Sequence, residues 1–467
     1  MPTTTTPKHS FPALRDELAA ALLASFPEHV ERLSWGRARI AAHQQGRLRD
    51  LLAYAAEHSP FHARRLGGID LASVNPQDLS ALPVMTKAEM MDELDDVFTD
   101  RRLTRRDVEH SLAEAGSEPA TPLGEYVALA SGGSSGQRGV FVLDQPAAVQ
   151  LFGSLSRGLV ARLQAMGGPP PGGFPIAMVA AGSPVHATGI AGPLSESEVG
   201  LPFRFVRVPV THPLPAIVEQ LNALQLPGLY GYPSMLARLA REQEAGRLRI
   251  SPIVVSSTSE TCTPELRAAI SAGFGAPLID TFGSTEGLVG ATAPDDDVMT
   301  FAQDGCLIEL VDEHHRPVAP GTPSASVLIT NLANRLQPLI RYELTDSLVQ
   351  QPAVPEHGHL RARVKGRSDD AFGYGDVVVH PLVIRSVLVR SGEVHEYQVR
   401  QTPTGIEVTV VADPGLDVRV LEDDLRTALG RAGLPAPTVT VRTSAQLDRD
   451  PATGKLRRFV PTDLERA

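Results

Sequence analysis

At 467 residues the chain is too long for one compact core, and two or three domains are the default. A hydrophobic content of 42% and a charged content of 21% give ample core, while a net charge of -11 argues against general binding to nucleic acid or to an anionic membrane, since both need a basic surface. Two cysteines, Cys262 and Cys306, exclude a disulfide framework and a zinc site of the usual cysteine spacing. With no bilayer-length apolar run and a polar start lacking a signal-peptide pattern, the chain is read as cytoplasmic, with a disordered leader of about ten residues.

From Phe11 to Arg64 apolar residues recur at helical spacing (Leu14, Leu18, Leu22, then Leu48, Leu51, Leu52, Ala55), which predicts two amphipathic helices with Trp35 as a core residue between them. The run Leu82 to Lys87 predicts an extended piece turning into a helix, with Thr86 as N-cap. Tyr126 to Ala130 and Val140 to Leu143 read as strands on either side of the glycine-serine loop Ser131 to Gly139. A helix over 147–165 and a strand over 175–180 follow. Strands at 201–208, 229–232, 253–256 and 276–279 then alternate with helices at 215–224, 234–246 and 264–272, which predicts an α/β domain with a largely parallel sheet. From Cys306 to Arg341 the pattern is strand-rich. The charged, glycine-containing segment Val364 to Asp370 is read as a linker to about a hundred residues with their own strands and helices, a small α+β domain.

Several stretches carry chemistry. At Asp280 to Gly287, Phe282 can stack on a base, Ser284 and Thr285 can donate to phosphate oxygens, and Glu286 can hold a hard cation; a strand followed by a glycine turn accounts for the same residues. The loop Ser131, Gly132, Gly133, Ser134, Ser135, Gly136 can turn successive N–H groups and hydroxyls toward one anion, because glycine tolerates positive φ and leaves room for close approach. No Walker-type lysine ends it, and a flexible hairpin is the alternative. Pro338 to Asp346 reads as a strand ending on an acid, suited to ribose hydroxyls or to capping a turn. Lysine occurs only at Lys8, Lys87, Lys365 and Lys455, so Lys455 is a candidate for a task that a guanidinium cannot perform; a solvated basic tail is the other reading.

Taken in order, these segments resemble the adenylate-forming superfamily of acyl-CoA synthetases and nonribosomal-peptide adenylation domains, most closely its phenylacetate-CoA ligase branch. The resemblance runs from Leu51-Leu52-Ala53-Tyr54 to Gly454-Lys455. It implies an α/β fold: a large multi-subdomain N-terminal domain over 1–366, with helix-flanked β-sheets and a small β-barrel, and a small mobile α+β C-terminal domain over 367–467. It implies ATP and Mg²⁺ as cofactors, a carboxylic acid as substrate, aromatic by analogy with that branch, and coenzyme A as acceptor, with an amine or a carrier-protein thiol as alternatives. A homodimer is among the oligomeric states it leaves open, and a non-catalytic nucleotide-binding module is the rival class.

On the same resemblance, Ser131 to Gly136 grip phosphate, Thr258, Ser259 and Glu260 lie along the adenine, and Phe282 stacks on it beside Gly283 and Ser284. Thr285 and Glu286 take the α-phosphate and Mg²⁺ positions, Asp346 and Arg367 the ribose, Asp369 the hinge, and Lys455 the catalytic lysine. His186, Tyr230, Tyr232 and Gly283 border the acyl pocket. Two departures stand out: Thr345 where many relatives have glycine, and Ile384-Arg385 in place of Ile-Glu after the hinge. No cysteine or histidine lies between Val289 and Gly305, so no zinc is expected.

Overall fold

The computed structural model describes residues 11–462, apart from 116–117, 131–138, 181–186, 295, 355–356, 368–371, 376, 380, 389–390, 392 and 452–453. The chain opens on helices Phe11–Arg32 and Arg37–His58, with Trp35 buried between them, and a short third helix, Pro60–Leu66. At Lys87–Asp92 the N-cap is Thr86, as expected. Its hydroxyl accepts from Glu89 N at 3.2 Å and Glu89 reaches back to Thr86 N at 2.8 Å, so two otherwise orphaned donors are satisfied reciprocally.

A nine-stranded sheet organises everything that follows. Its order is Asp346–Gln350, Leu360–Arg367, Met299–Phe301, Val289–Thr292, Leu278–Gly283, Val254–Thr258, Gly228–Gly231, Phe174–Ala180, Phe203–Pro209. From Leu278–Gly283 to Phe203–Pro209 all neighbours are parallel, and helices Leu214–Leu224, Pro233–Glu244 and Pro264–Phe274 make the crossovers. From Leu278–Gly283 outward in the other direction every pair is antiparallel, so the sheet is parallel in one half only. The cause is connection length: the chain turns between Gly283 and Val289 too tightly for a parallel crossover, which takes a dozen residues or more.

Two further pieces share one core. The hairpin Val127–Ala130 with Val140–Leu143 and the antiparallel sheet Cys306–Val311, Ser326–Asn331, Tyr342–Leu344 both pack into the cluster containing Phe141, Val327 and Tyr342. Two sequence readings change here. The run from Pro338 is not one strand ending on Asp346: Arg341 is left-handed (φ 49°), Tyr342–Leu344 pairs in the small sheet, and Asp346 opens a strand of the large one, because the chain changes sheets at Thr345. Residues 364–367, read as the start of a linker, continue the strand Leu360–Arg367, with Asp346 opposite Arg367 and Val364 packed on the core.

Beyond that strand the chain builds a separate core. Strands Thr438–Thr443, Gly405–Ala412, Val394–Thr402 and Phe459–Val460 form one sheet in that order, and helices Pro381–Leu388 and Val418–Arg431 bury Ile384, Leu388, Leu421, Leu425 and Leu429 against it. No helix among the described residues is long and apolar enough to cross a membrane.

Among the described residues, no strand pairs with the second edge of Val140–Leu143. Side chains replace one: Gln337 Oε1 accepts from Val142 N at 2.7 Å, Gln337 Nε2 donates to Val140 O at 2.9 Å, and Asn334 Nδ2 donates to Val142 O at 3.0 Å. Gln337 is fully buried, so truncating it orphans a backbone donor and a backbone acceptor where water does not reach. Gln337→Ala is expected to cost roughly 2–4 kcal/mol in urea unfolding. A loss below about 0.5 kcal/mol would show that the strand does not depend on this side chain.

Candidate active site

In an open α/β sheet, ligands bind beyond the carboxyl ends of the strands, near the point where strand order reverses. Here the order reverses between Phe174–Ala180 and Gly228–Gly231, and the parallel strands end on Ala180, Gly231, Thr258 and Gly283. Those ends deliver three groups of residues singled out in the sequence: Tyr230 and Tyr232, Thr258 to Glu260, and Phe282 to Glu286. A cavity of about 710 Å³ lies there, and Tyr230, Thr258, Ser259, Glu260, Phe282, Gly283, Ser284, Thr285, Glu286, Asp346 and Lys455 all line it. Residues more than two hundred positions apart thus share one space.

The turn after Gly283 is tightly specified. Ser284 Oγ accepts from Leu288 N at 3.1 Å, and Ser284 N donates to Leu288 O at 2.9 Å. Gly287 has φ 115°, and a Cβ there would lie 2.4 Å from Asn331 Nδ2, so both backbone shape and clearance require glycine. Asn331 Nδ2 in turn donates to Glu286 O at 2.8 Å. Glu286 is 7% exposed and lines the cavity; its backbone is held by protein, and among the described residues no hydrogen bond or ion pair engages its carboxylate. A buried, cavity-lining carboxylate of this kind fits a hard cation such as Mg²⁺. Phe282 packs edge-on against Phe301, with centroids 5.6 Å apart.

Other sequence candidates divide. Ala130, the residue before the serine-glycine loop, lines the cavity, but Ser131, Gly132, Gly133, Ser134, Ser135 and Gly136 lie outside the described residues, as do His186, Asp369 and the side chain of Arg367. Tyr230 stands on the cavity wall within an aromatic run in which Phe203, Phe205 and Tyr230 follow at centroid distances of 5.5 and 5.7 Å. Tyr232 does not reach the wall: it is fully buried in the parallel-sheet core, and its ring lies 5.8 Å from Lys455 Nζ. The Glu260 carboxylate is engaged by protein, accepting from Ser234 N at 3.2 Å and Leu456 N at 2.8 Å.

Lys455 belongs to the C-terminal segment, and several contacts seat that segment here. Gly454, at φ 66°, passes so near Val210 that a Cβ would come within 2.4 Å of Val210 Cγ1. Arg449 Nη1 donates to Ser234 Oγ at 2.9 Å, Arg241 donates to His395 O at 3.2 Å, and Arg385, the departure from Ile-Glu, pairs with Glu265 at 3.0 Å.

Two cavity residues, Arg157 and Asp280, and the buried partner Asp304 have no role in the sequence reading. Arg157 makes two 2.9 Å hydrogen bonds to Asp304, and its neighbouring guanidinium charge holds that buried carboxyl down to about 2 against the cost of desolvation. Asp280 sits within the stretch Asp280 to Gly287, yet nothing local marks it, because its partners lie on neighbouring strands: Ser257 Oγ donates to it at 2.6 Å, and its own N–H donates to Thr292 Oγ1. Burial pushes the Asp280 carboxyl up to about 6, a rise that Ser257 and Arg267 only partly offset.

No family model matches the chain. It superposes with a TM-score of 0.68 on a 2-hydroxyisobutyryl-CoA ligase in the postadenylation state, at 18% identity over 92% of this chain and 91% of that one. Against the same ligase in the thioesterification state, again at 18% identity over 92% and 91% of the two chains, the score is 0.53. The fold is that of the adenylate-forming enzymes. Within that class, the chain is 25% identical over 137 residues to the phenylacetate-coenzyme A ligase of Aromatoleum evansii, a match covering 28% of this chain and about a third (31%) of that ligase.

Asp280 offers a direct check on the electrostatics. A carboxyl whose folded pKa is raised stabilises the fold fully below its unfolded value, 3.8, and that contribution is lost as pH rises through about 6. The rise corresponds to roughly 3 kcal/mol at neutral pH. Asp280→Asn, which keeps an acceptor for Ser257, is therefore expected to be more stable than the parent by up to about 3 kcal/mol at about pH 8, with the gain gone near pH 4. Denaturant unfolding across that range measures it, and a gain independent of pH would refute the assigned cause.

Proposed function

We propose that the chain is an AMP-forming acid ligase that joins a carboxylic acid to AMP and passes the acyl group to coenzyme A. The observation that carries this reading is the single cavity shared by Thr285 and Glu286, Asp346 and the one lysine of the C-terminal segment, Lys455. Attack by a carboxylate oxygen on the α-phosphorus of ATP brings two anions together, so the site must offset charge and align the reactants. In this reading the Lys455 ammonium bridges the attacking carboxylate and the α-phosphate, and Thr285 donates to an α-phosphate oxygen. Asp346 and Arg367 hold the ribose hydroxyls, and the adenine lies along the backbone of Thr258 to Glu260, beside Phe282. The carboxylate oxygen bonds to phosphorus, the bond to the β-phosphate oxygen breaks, and pyrophosphate leaves along Ser131 to Gly136. Glu286 holds Mg²⁺, which when bound neutralises phosphate charge.

The aromatic and aliphatic wall formed by Phe152, Leu155, Phe203, Phe205 and Tyr230, with Gly283 at the same pocket, supports an aromatic acid. Gly283 is demanded there by Leu155, whose Cδ2 would lie 2.8 Å from a Cβ. In the second step the segment beyond Asp369 turns and withdraws Lys455; the thiol of coenzyme A attacks the acyl carbonyl, and AMP leaves. Arg385 stands where the resembled family carries glutamate, on the surface that comes to face the site, which keeps an amine, a carrier-protein thiol or another small nucleophile as alternative acceptors.

Lys455→Ala is expected to lower acid-dependent pyrophosphate exchange by at least about a hundredfold, while transfer from supplied acyl-adenylate stays within about threefold of the parent. Equal loss in both assays would remove Lys455 from the first step. A panel of aromatic and aliphatic carboxylates in the exchange assay, followed by product analysis with and without coenzyme A, tests the substrate class and the acceptor. Failure of every acid would favour a nucleotide-binding module without ligase activity.

A further inference from the structure

We infer that Glu260 is a positioning residue for Lys455: its carboxylate clamps the lysine-bearing loop to the end of the large sheet, and the clamp needs the charge. The inference rests on Lys455 acting in the adenylation step proposed above. Glu260 stands just past the strand Val254–Thr258, after Ser259, whose left-handed φ of 67° is uncommon for a residue with a side chain. Its side chain is 6% exposed.

The two carboxylate oxygens divide their work. Oε2 accepts from Ser234 N at 3.2 Å, in the first turn of the helix Pro233–Glu244, where backbone N–H groups lack helical partners and the dipole favours an anion. Oε1 accepts at 2.8 Å from Leu456 N, the residue directly after Lys455. One end of the carboxylate therefore holds a helix of the cavity wall and the other holds the loop from the C-terminal segment.

Arg449 ties the two sides together. It is 13% exposed, lies 4.0 Å from Glu260 Oε1, donates to Ser234 Oγ at 2.9 Å and Gly454 O at 3.3 Å, and reaches Glu396, on its own sheet, at 3.2 Å. The loop is also closed on itself, with Gly454 N donating to Asp450 O at 2.7 Å and Asp450 N to Lys455 O at 3.0 Å. Glu260 thus fixes where a preformed loop sits, which sets the reach of Lys455 into the cavity. A neutral amide cannot replace it, because two N–H donors converge on two acceptor oxygens and an amide turns its own N–H₂ toward one of them.

A role confined to capping the helix at Ser234 is the competing account, and the two separate experimentally. In the full chain, Glu260→Gln is expected to raise amide exchange in the peptide spanning 450–458 about tenfold or more, the loss of a charge-assisted hydrogen bond. Pyrophosphate exchange with an acid that the parent accepts is expected to lose about tenfold in kcat with the KM for ATP unchanged. Glu260→Asp keeps the charge but is one methylene short of spanning both donors, and should fall between parent and Glu260→Gln in both readouts. It also serves if the glutamine variant does not fold. Unchanged exchange over 450–458 in the variant that folds overturns the clamp, as does a raised KM for ATP at constant kcat. If the parent accepts no acid, the ligase reading fails, and the clamp stands or falls on the amide-exchange result alone.

Discussion

Bringing an ammonium into a cavity that its own segment does not build depends on how closely one loop can approach the end of the large sheet. That approach is made by backbone. Gly454 passes Val210 at a distance that leaves no room for a Cβ, and its positive φ turns the following residue toward the cavity. A larger residue at 454 would hold the loop off the sheet by the width of a methyl group, and an ångström-scale geometric error of that kind is what positioned catalysis tolerates least. The glycine-lysine pair is therefore one device: the first residue permits contact and the second uses it.

The cavity wall is itself held by polar groups that are buried at a cost. Arg157 and Asp304 lie almost wholly out of solvent, joined by two short hydrogen bonds, with His359 Nδ1 at 4.0 Å and Arg32 at 3.5 Å from the same carboxylate. A buried pair of this kind seldom adds net stability over apolar packing, whereas removing one partner strands a charge. Its effect is to fix the helix Gln145–Ala165, which supplies Phe152 and Leu155 to the wall, against the turn at Asp304 and the first helix. Desolvation lowers the affinity of His29, His43 and His359 for a proton, and the neighbouring arginine charges lower it further.

Much of this was legible in the sequence, and the reasons for the rest are specific. Helices, caps and most strands carry local signals, as at Thr86 and in the Leu14, Leu18, Leu22 stripe, and the order of the segments pointed to the fold. Strand direction beyond Leu278–Gly283 had no such signal, since it follows from a turn length that only strand boundaries reveal. Asp346 was found as an acid near a strand, but its place at the start of one came from a change of sheet at Thr345 that leaves no periodic trace. Glu260 was assigned by its neighbours to the nucleotide, and its bond to Leu456 joins residues 196 positions apart. Pairings at that separation are properties of the fold, invisible to spacing or composition.

The same logic explains how the functional loops keep their side chains available. Residues 331–337 form a polar hub: Asn331 Oδ1 accepts from Ala333 N and Asn334 N, and Asn334 Oδ1 accepts from Gln337 N, so the segment is rigid before it touches anything else. From that hub Asn331 fastens the backbone at Glu286, while Gln337 and Asn334 fasten the strand Val140–Leu143 that leaves the serine-glycine loop. Glu260 does the same for Leu456. In these long-range cases an amide or carboxylate from a distant part of the chain satisfies main-chain groups that would otherwise need water or a strand partner. Contacts of this kind help to hold the loops that place Thr285, Glu286 and Lys455 on the wall of one cavity.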